Sequence, residues 1–124
     1  MRFMTLVKSS EKSGPPPKEL IDAMGKLTEE SIKNGTLINT GGLAPTAASF
    51  RVRLAGGNVT LTDGPFTETK EVIGGYAVLE LNSREEAVAA ALRFMELHKQ
   101  HWPGWEGETE VRQMVGPENC GRHP

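Results

Sequence analysis

Between Phe50 and Leu81 the chain reads FRVRLAGGNVTLTDGPFTETKEVIGGYAVLEL, and this stretch restricts the fold more than any other. Phe50, Val52 and Leu54 alternate with Arg51 and Arg53, and Val59 and Leu61 alternate with Thr60 and Thr62. A period of two gives each strand one apolar face for a core and one polar face directed elsewhere. Gly56-Gly57-Asn58 tolerates positive φ, so the two strands are expected to form a hairpin. Asp63-Gly64-Pro65 ends the second strand, because proline has no N–H for a ladder, and the Asp63 carboxylate can accept from the corner's backbone N–H groups. The hairpin is expected to sit in a central sheet against which the remaining elements pack.

The flanking segments alternate strands with helices. Arg2–Lys8 suits a central strand, apolar on both faces. Ser9–Pro17, with three consecutive prolines, is an extended loop leading to a helix that opens at Pro17 or Lys18 and stops at Asn34-Gly35. Leu20, Met24 and Leu27 form its apolar stripe, and Glu29 and Lys33 an exposed i, i+4 pair. Thr36–Ala44 reads as a strand that frays at Gly41-Gly42, where a bend or bulge and close approach of a ligand are both open readings. Thr46–Ser49 is a short polar connection, and Thr67–Glu71 a charged link.

Val72–Leu81 is the next strand, with a bulge expected at Gly74-Gly75. Ser83 and Glu86 make a capping box for a second helix, on which Val88, Ala91, Leu92 and Met95 recur at helical spacing, so those four are expected on the sheet. After an aromatic turn, Trp102-Pro103-Gly104-Trp105, the last strand is expected over Glu108–Val115. Residues 1–115 form one domain and residues 116–124 a polar tail. This order gives an α+β fold of split βαβ type, with one sheet face left for a second subunit.

Length and composition agree with that outline. The chain's 124 residues are enough for one core without disulfides or metal. Its 37% hydrophobic content is on the low side, as expected where a partner subunit completes the core. A net charge of −2 argues against a nucleic-acid surface. Cys120 is a single thiol, so no internal disulfide is expected. No stretch approaches a membrane span, and Met1–Lys8 does not read as a signal peptide, so the expected compartment is the cytoplasm.

Asp63-Gly64-Pro65-Phe66, followed by Glu68, Lys70 and Glu71 and then Gly74-Gly75-Tyr76, resembles the signature of the DGPF proteins, a branch of the YCII-related family. The resemblance extends from the first strand to Met114. It implies a ferredoxin-like fold with a mainly antiparallel sheet and two helices, paired in a homodimer as a dimeric α+β barrel. It also implies, from gene context in the branch, a link to alternative sigma factors. Members similar to lyase-type enzymes use a His–Asp acid–base pair, the His lying in an Arg-Pro-x-His-Leu stretch. Here that stretch reads Pro17-Lys18-Glu19-Leu20, with Glu19 in the His position.

The chemistry expected from the residues is correspondingly modest. The chain has no Walker A motif, no GxGxxG after a strand, no GxSxG and no HExxH, so no cofactor is expected. Asp63 is the candidate proton-handling residue, and Phe66, Lys70 and Trp102 are the candidate substrate-binding residues, placed in a cleft between sheet, DGPF corner and aromatic turn. Glu68, His98 and His101 are further partners for Asp63 if the fold brings them within reach. His98 and His101 read either as helix-end dipole partners or as two of the three ligands a metal requires, and no metal site is expected. The functional expectation is a homodimer that binds a small metabolite and carries out cofactor-independent acid–base chemistry of lyase or isomerase type. The alternative is a non-enzymatic regulatory or interaction module.

Overall fold

The computed structural model describes residues 1–67 and 69–116. Glu68 and nearly all of the expected tail, with Cys120 and His123, lie outside the described residues. Six strands and two helices follow in the order β1 (Arg2–Ser9), α1 (Lys18–Lys33), β2 (Leu37–Gly42), β3 (Phe50–Ala55), β4 (Asn58–Asp63), β5 (Val72–Glu80), α2 (Arg84–His101) and β6 (Gly107–Gln113). Single 3-10 turns sit at Glu11–Ser13 and Thr46–Ala48.

Strands β2-β5-β1-β6 form one sheet in that order, antiparallel at every junction. Two interlocked βαβ units give this order, which is the ferredoxin-like α+β arrangement. Right-handed crossovers place both helices on one side, where Arg93 of α2 reaches Glu30 of α1 (Nη2 to Oε2, 2.9 Å). Phe3, Leu81 and Ala87 make the buried centre beneath them, with Leu79 and Val111 packed against it. Leu20 is wholly buried.

Local signals account for most boundaries. Pro17 precedes α1, and Asn34 followed by Gly35 at φ 79° ends it. At α2 the Ser83 hydroxyl accepts from Glu86 N–H at 3.2 Å, while the Glu86 carboxylate takes the N–H of Asn82 at 3.0 Å, one residue earlier than a capping box requires. The register between β1 and β5 slips so that Val7 faces Gly75 and Lys8 faces Ile73, leaving Gly74 as the expected bulge.

Two expectations need correction. The hairpin β3–β4 is outside the central sheet: its strands pair only with each other, Phe50 opposite Asp63 and Leu54 opposite Val59. Pro45 and Pro65 stand where the ladder would have to continue into β2 and β5, and neither has an N–H to donate. Instead Gly64 N–H bonds the Ser49 carbonyl at 2.8 Å and ties the two ends of the hairpin together. Its apolar face, Phe50, Val52, Leu54, Val59 and Leu61, is therefore 60–72% exposed.

The second correction concerns α2. Val88 and Leu92 are exposed, and the covered side carries Ala87, Ala90, Ala91, Phe94 and His98. Small alanines let the helix approach the sheet closely, so the stripe that packs is the one with least bulk in its first two turns.

Candidate functional site

Strand register gathers three loops at one end of the sheet. Ser9, the last residue of β1, pairs with Val72 at the start of β5 and with Gly107 at the start of β6, and Gly42 ends β2 opposite Gly75. The Glu11–Ser13 turn, the DGPF corner and the aromatic turn all emerge there.

The corner is held by backbone rather than by Asp63. A Cβ on Gly64 would fall on the carbonyl of Thr46, so only glycine admits this approach. The Gly64–Pro65 peptide is cis. Phe66 N–H bonds the Thr46 hydroxyl at 3.2 Å, and the Glu11 carboxylate accepts from Thr46 N–H at 2.8 Å and from its hydroxyl at 2.5 Å. The Thr46 hydroxyl, then its N–H, hold Glu11 below the usual carboxylate range. Phe66 is buried, with the Arg51 guanidinium 3.7 Å above its ring, and Arg51 also donates to the Thr69 hydroxyl at 2.8 Å. Asp63 is exposed, and its carboxylate has no hydrogen-bond partner among the described residues. Lys70 is also exposed.

The aromatic turn closes through Trp105 N–H to the Trp102 carbonyl at 3.1 Å, with Pro103 second and Gly104 third at φ 83°, the pattern of a type II turn. It lays a row of rings along the end of α2. Phe94 and His98 have centroids 4.7 Å apart, His98 and Trp105 4.6 Å, and Trp105 and Trp102 are stacked at 5.6 Å. Gly107 makes room for this, since a Cβ there would lie 2.5 Å from both the Trp105 ring and the Lys8 carbonyl.

His98 is buried, and its Nδ1 lies 3.0 Å from the Phe94 carbonyl. A carbonyl only accepts, so Nδ1 carries the proton. Burial pushes the imidazole below its ordinary value, outweighing the Phe94 bond that favours the charged form. His98 is thus a neutral packing residue rather than a charged partner of the helix dipole. Trp105 Nε1 and Thr109 Oγ1 are buried without a partner among the described residues.

A depression of about 400 Å³ opens between the two turns, lined by Lys12, Ser13, Trp102, Pro103, Gly104, Trp105 and Glu106. Of the four sequence-derived site residues, Trp102 lines it. Asp63, Phe66 and Lys70 belong to the corner and do not. The connection that sequence reasoning missed is the Glu11–Ser13 turn, whose first residue holds the corner while its second and third line the depression. Glu19, in the position of the family His, is exposed in the first turn of α1. The Gly41 reading resolves locally: a Cβ there would stand 3.0 Å from the Tyr76 ring, so a side chain of the same sheet uses that space. Among the described residues no three His, Cys, Asp or Glu side chains are grouped as a metal would need, and no helix is long and apolar enough to cross a membrane.

The helix-free face of the sheet is the other surface of interest. By register it carries Met4, Leu6 and Lys8 of β1, Tyr76 and Val78 of β5, and Glu108, Glu110 and Arg112 of β6. Lys8 Nζ meets Glu110 Oε1 at 2.5 Å, and this pair raises the Lys8 pKa and lowers that of Glu110. The centre of that face is apolar and one flank is charged.

Comparisons with known proteins found two similarities. An uncharacterized protein of Rhizobium meliloti (strain 1021) is 35% identical over 57 residues. The match covers 46% of each chain, so the chain spans about half the length of the curated relative it matches. The family model for the YCII-related domain matches residues 1–96, from β1 through the DGPF corner and into α2, leaving the aromatic turn beyond its end. A match that runs through β1, the first crossover unit and the corner and on into α2 settles the membership: the chain belongs to the YCII-related domain family.

Proposed function

We propose that the chain belongs to the DGPF branch of its family and works as a homodimer that binds a small, planar, anionic metabolite at the Trp102–Trp105 stack. The observation that carries this reading is the company Trp102 keeps: a stacked indole pair, the Lys12 ammonium and the Ser13 hydroxyl share one depression of about 400 Å³. Flat indole faces favour a ring, a cation favours a carboxylate, and a hydroxyl fixes orientation. Glu106 on the rim disfavours a second negative charge nearby.

For the chemistry, Asp63 is the proton-handling candidate and Lys70 a further anion anchor, with Phe66 fixing the corner beneath Arg51. The support for Asp63 is that the corner does not use it: Ser49 and Thr46 supply the acceptors, leaving an exposed carboxylate free of structural duty. The reaction class is cofactor-independent proton transfer, of lyase or isomerase type. The exposed apolar hairpin favours a second reading, a non-enzymatic interaction module of the sigma-factor-linked kind.

Trp102 and Trp105 are the chain's two tryptophans, so intrinsic fluorescence reports on this depression directly. Titration with 4-hydroxybenzoate as probe is expected to give saturable quenching that Lys12→Ala weakens and Trp102→Ala removes. Unsaturable quenching, equal in wild type and Lys12→Ala, contradicts the reading.

A further inference from the structure

The hairpin β3–β4 presents an apolar face that this chain does not cover. Phe50, Val52, Leu54, Val59 and Leu61 share that face by register, each 60–72% exposed. The opposite face carries Arg51, Arg53, Thr60 and Thr62, so the hairpin has one side for water and one side suited to burial. A two-stranded hairpin with nothing on its apolar side is marginal in water. Its base, by contrast, is fixed in direction by Gly64 to Ser49, Phe66 to Thr46, Thr46 to Glu11 and Arg51 over Phe66. A firmly based arm with a bare apolar face is built to reach a surface outside its own chain.

We infer that this face is buried against a second copy of the chain, on the helix-free side of that copy's sheet, where partly exposed Met4, Leu6 and Tyr76 surround the already buried Val78. The inference rests on the homodimer reading above and assigns the hairpin as its arm. Two arguments choose a second copy over another partner. Hairpin and helix-free sheet are both unpartnered faces of one chain, so a twofold pair satisfies each of them twice by the same contact. The area also closes only when doubled. Five side chains of this size, with the surface they cover on the other copy, remove on the order of 1,000 Å² or more when the contact is made twice, the range a specific interface needs. One arm on an unrelated partner removes about half of that.

The test combines sedimentation equilibrium with thiol accessibility on the full chain. Wild type is expected to sediment as a dimer, and Val52→Glu/Leu61→Glu to show about a twofold lower mass with unchanged far-UV circular dichroism. Arg53→Glu on the water-facing side keeps the dimer. Should the double variant fail to fold, Val59→Cys in a Cys120→Ser background gives the second readout: its thiol is expected to react slowly at dimer concentrations and at least tenfold faster on dilution to monomer. A wild-type monomer overturns both the dimer reading and this inference. A double variant that stays dimeric, or a Val59→Cys thiol equally fast at all concentrations, overturns the hairpin assignment alone and leaves the dimer standing.

Discussion

Strands β1 and β3 each carry an apolar face, and the two faces meet opposite fates. Phe3 and Thr5 of β1 share a face that is buried under the helices, while Phe50, Val52 and Leu54 of β3 share a face that is bare. β1 is apolar on both faces and β3 on one, yet each offers a face that requires cover. The difference lies in what the flanking chain does: β1 enters a crossover helix and returns to its own sheet, whereas Pro45 and Pro65 cut β3–β4 off from any ladder but its own. Alternation says that a face is apolar; it does not say which chain covers it.

The largest contrast should come from truncating one leucine in each region. Leu20→Ala, at a wholly buried site in the helix layer, is expected to lower stability by about 2–5 kcal/mol in urea denaturation. Leu54→Ala, 72% exposed in the hairpin, should shift it by less than about 0.5 kcal/mol when the protein is dilute. Equal losses at both sites would erase the distinction. Gly64→Ala tests the hinge between the regions. Its Cβ meets a backbone carbonyl rather than a yielding side-chain tip, and the expected loss is about 1–3 kcal/mol by the same denaturation curve.

A pH series probes the packed body. His98 has a lowered pKa in the fold, so the unfolded chain takes up the proton first. Stability is then complete above about pH 6.5 and declines as pH falls below it. Glu11 and Glu110, also lowered, add a separate decline below about pH 4.3, where the unfolded carboxylates protonate. Melting temperature against pH should show both phases in wild type, and His98→Phe should flatten the upper one. The smallest effect is expected at the corner's exposed carboxylate: Asp63→Asn should alter stability by no more than about 0.5 kcal/mol while removing any proton-transfer activity. A large loss of stability would return Asp63 to a structural role.

Much of the fold was legible because its signals are local. Pro17, Asn34-Gly35, Ser83 and the Gly74 bulge act within a turn or two of chain, and each stands where its chemistry requires. The errors came where the deciding partner was distant in sequence. Val88 and Leu92 look like the packing stripe until the sheet selects the alanine side of α2. The Glu11 to Thr46 link joins residues 35 apart, and a lone Glu in a proline-rich loop carries no mark of it. His98 could have been caught from spacing, since Phe94 and His98 are one helical turn apart and continue the Ala87–Ala91 row. The far wall of the depression was hidden for a related reason: Trp102 was legible as a flat apolar surface, but its neighbours Lys12 and Ser13 come from a turn some ninety residues earlier.

The proposal that stands above the others is that an apolar face left bare by its own chain is covered by a second copy. The most direct measurement is hydrogen exchange of the β3–β4 amides across a dilution series, followed alongside mass. Slow exchange is expected in the hairpin while the protein sediments at twice the 13.5 kDa chain mass, with loss of that protection as the mass falls to a single chain and β1 and β5 still protected. Hairpin amides that exchange at one unchanging rate throughout the series would contradict it.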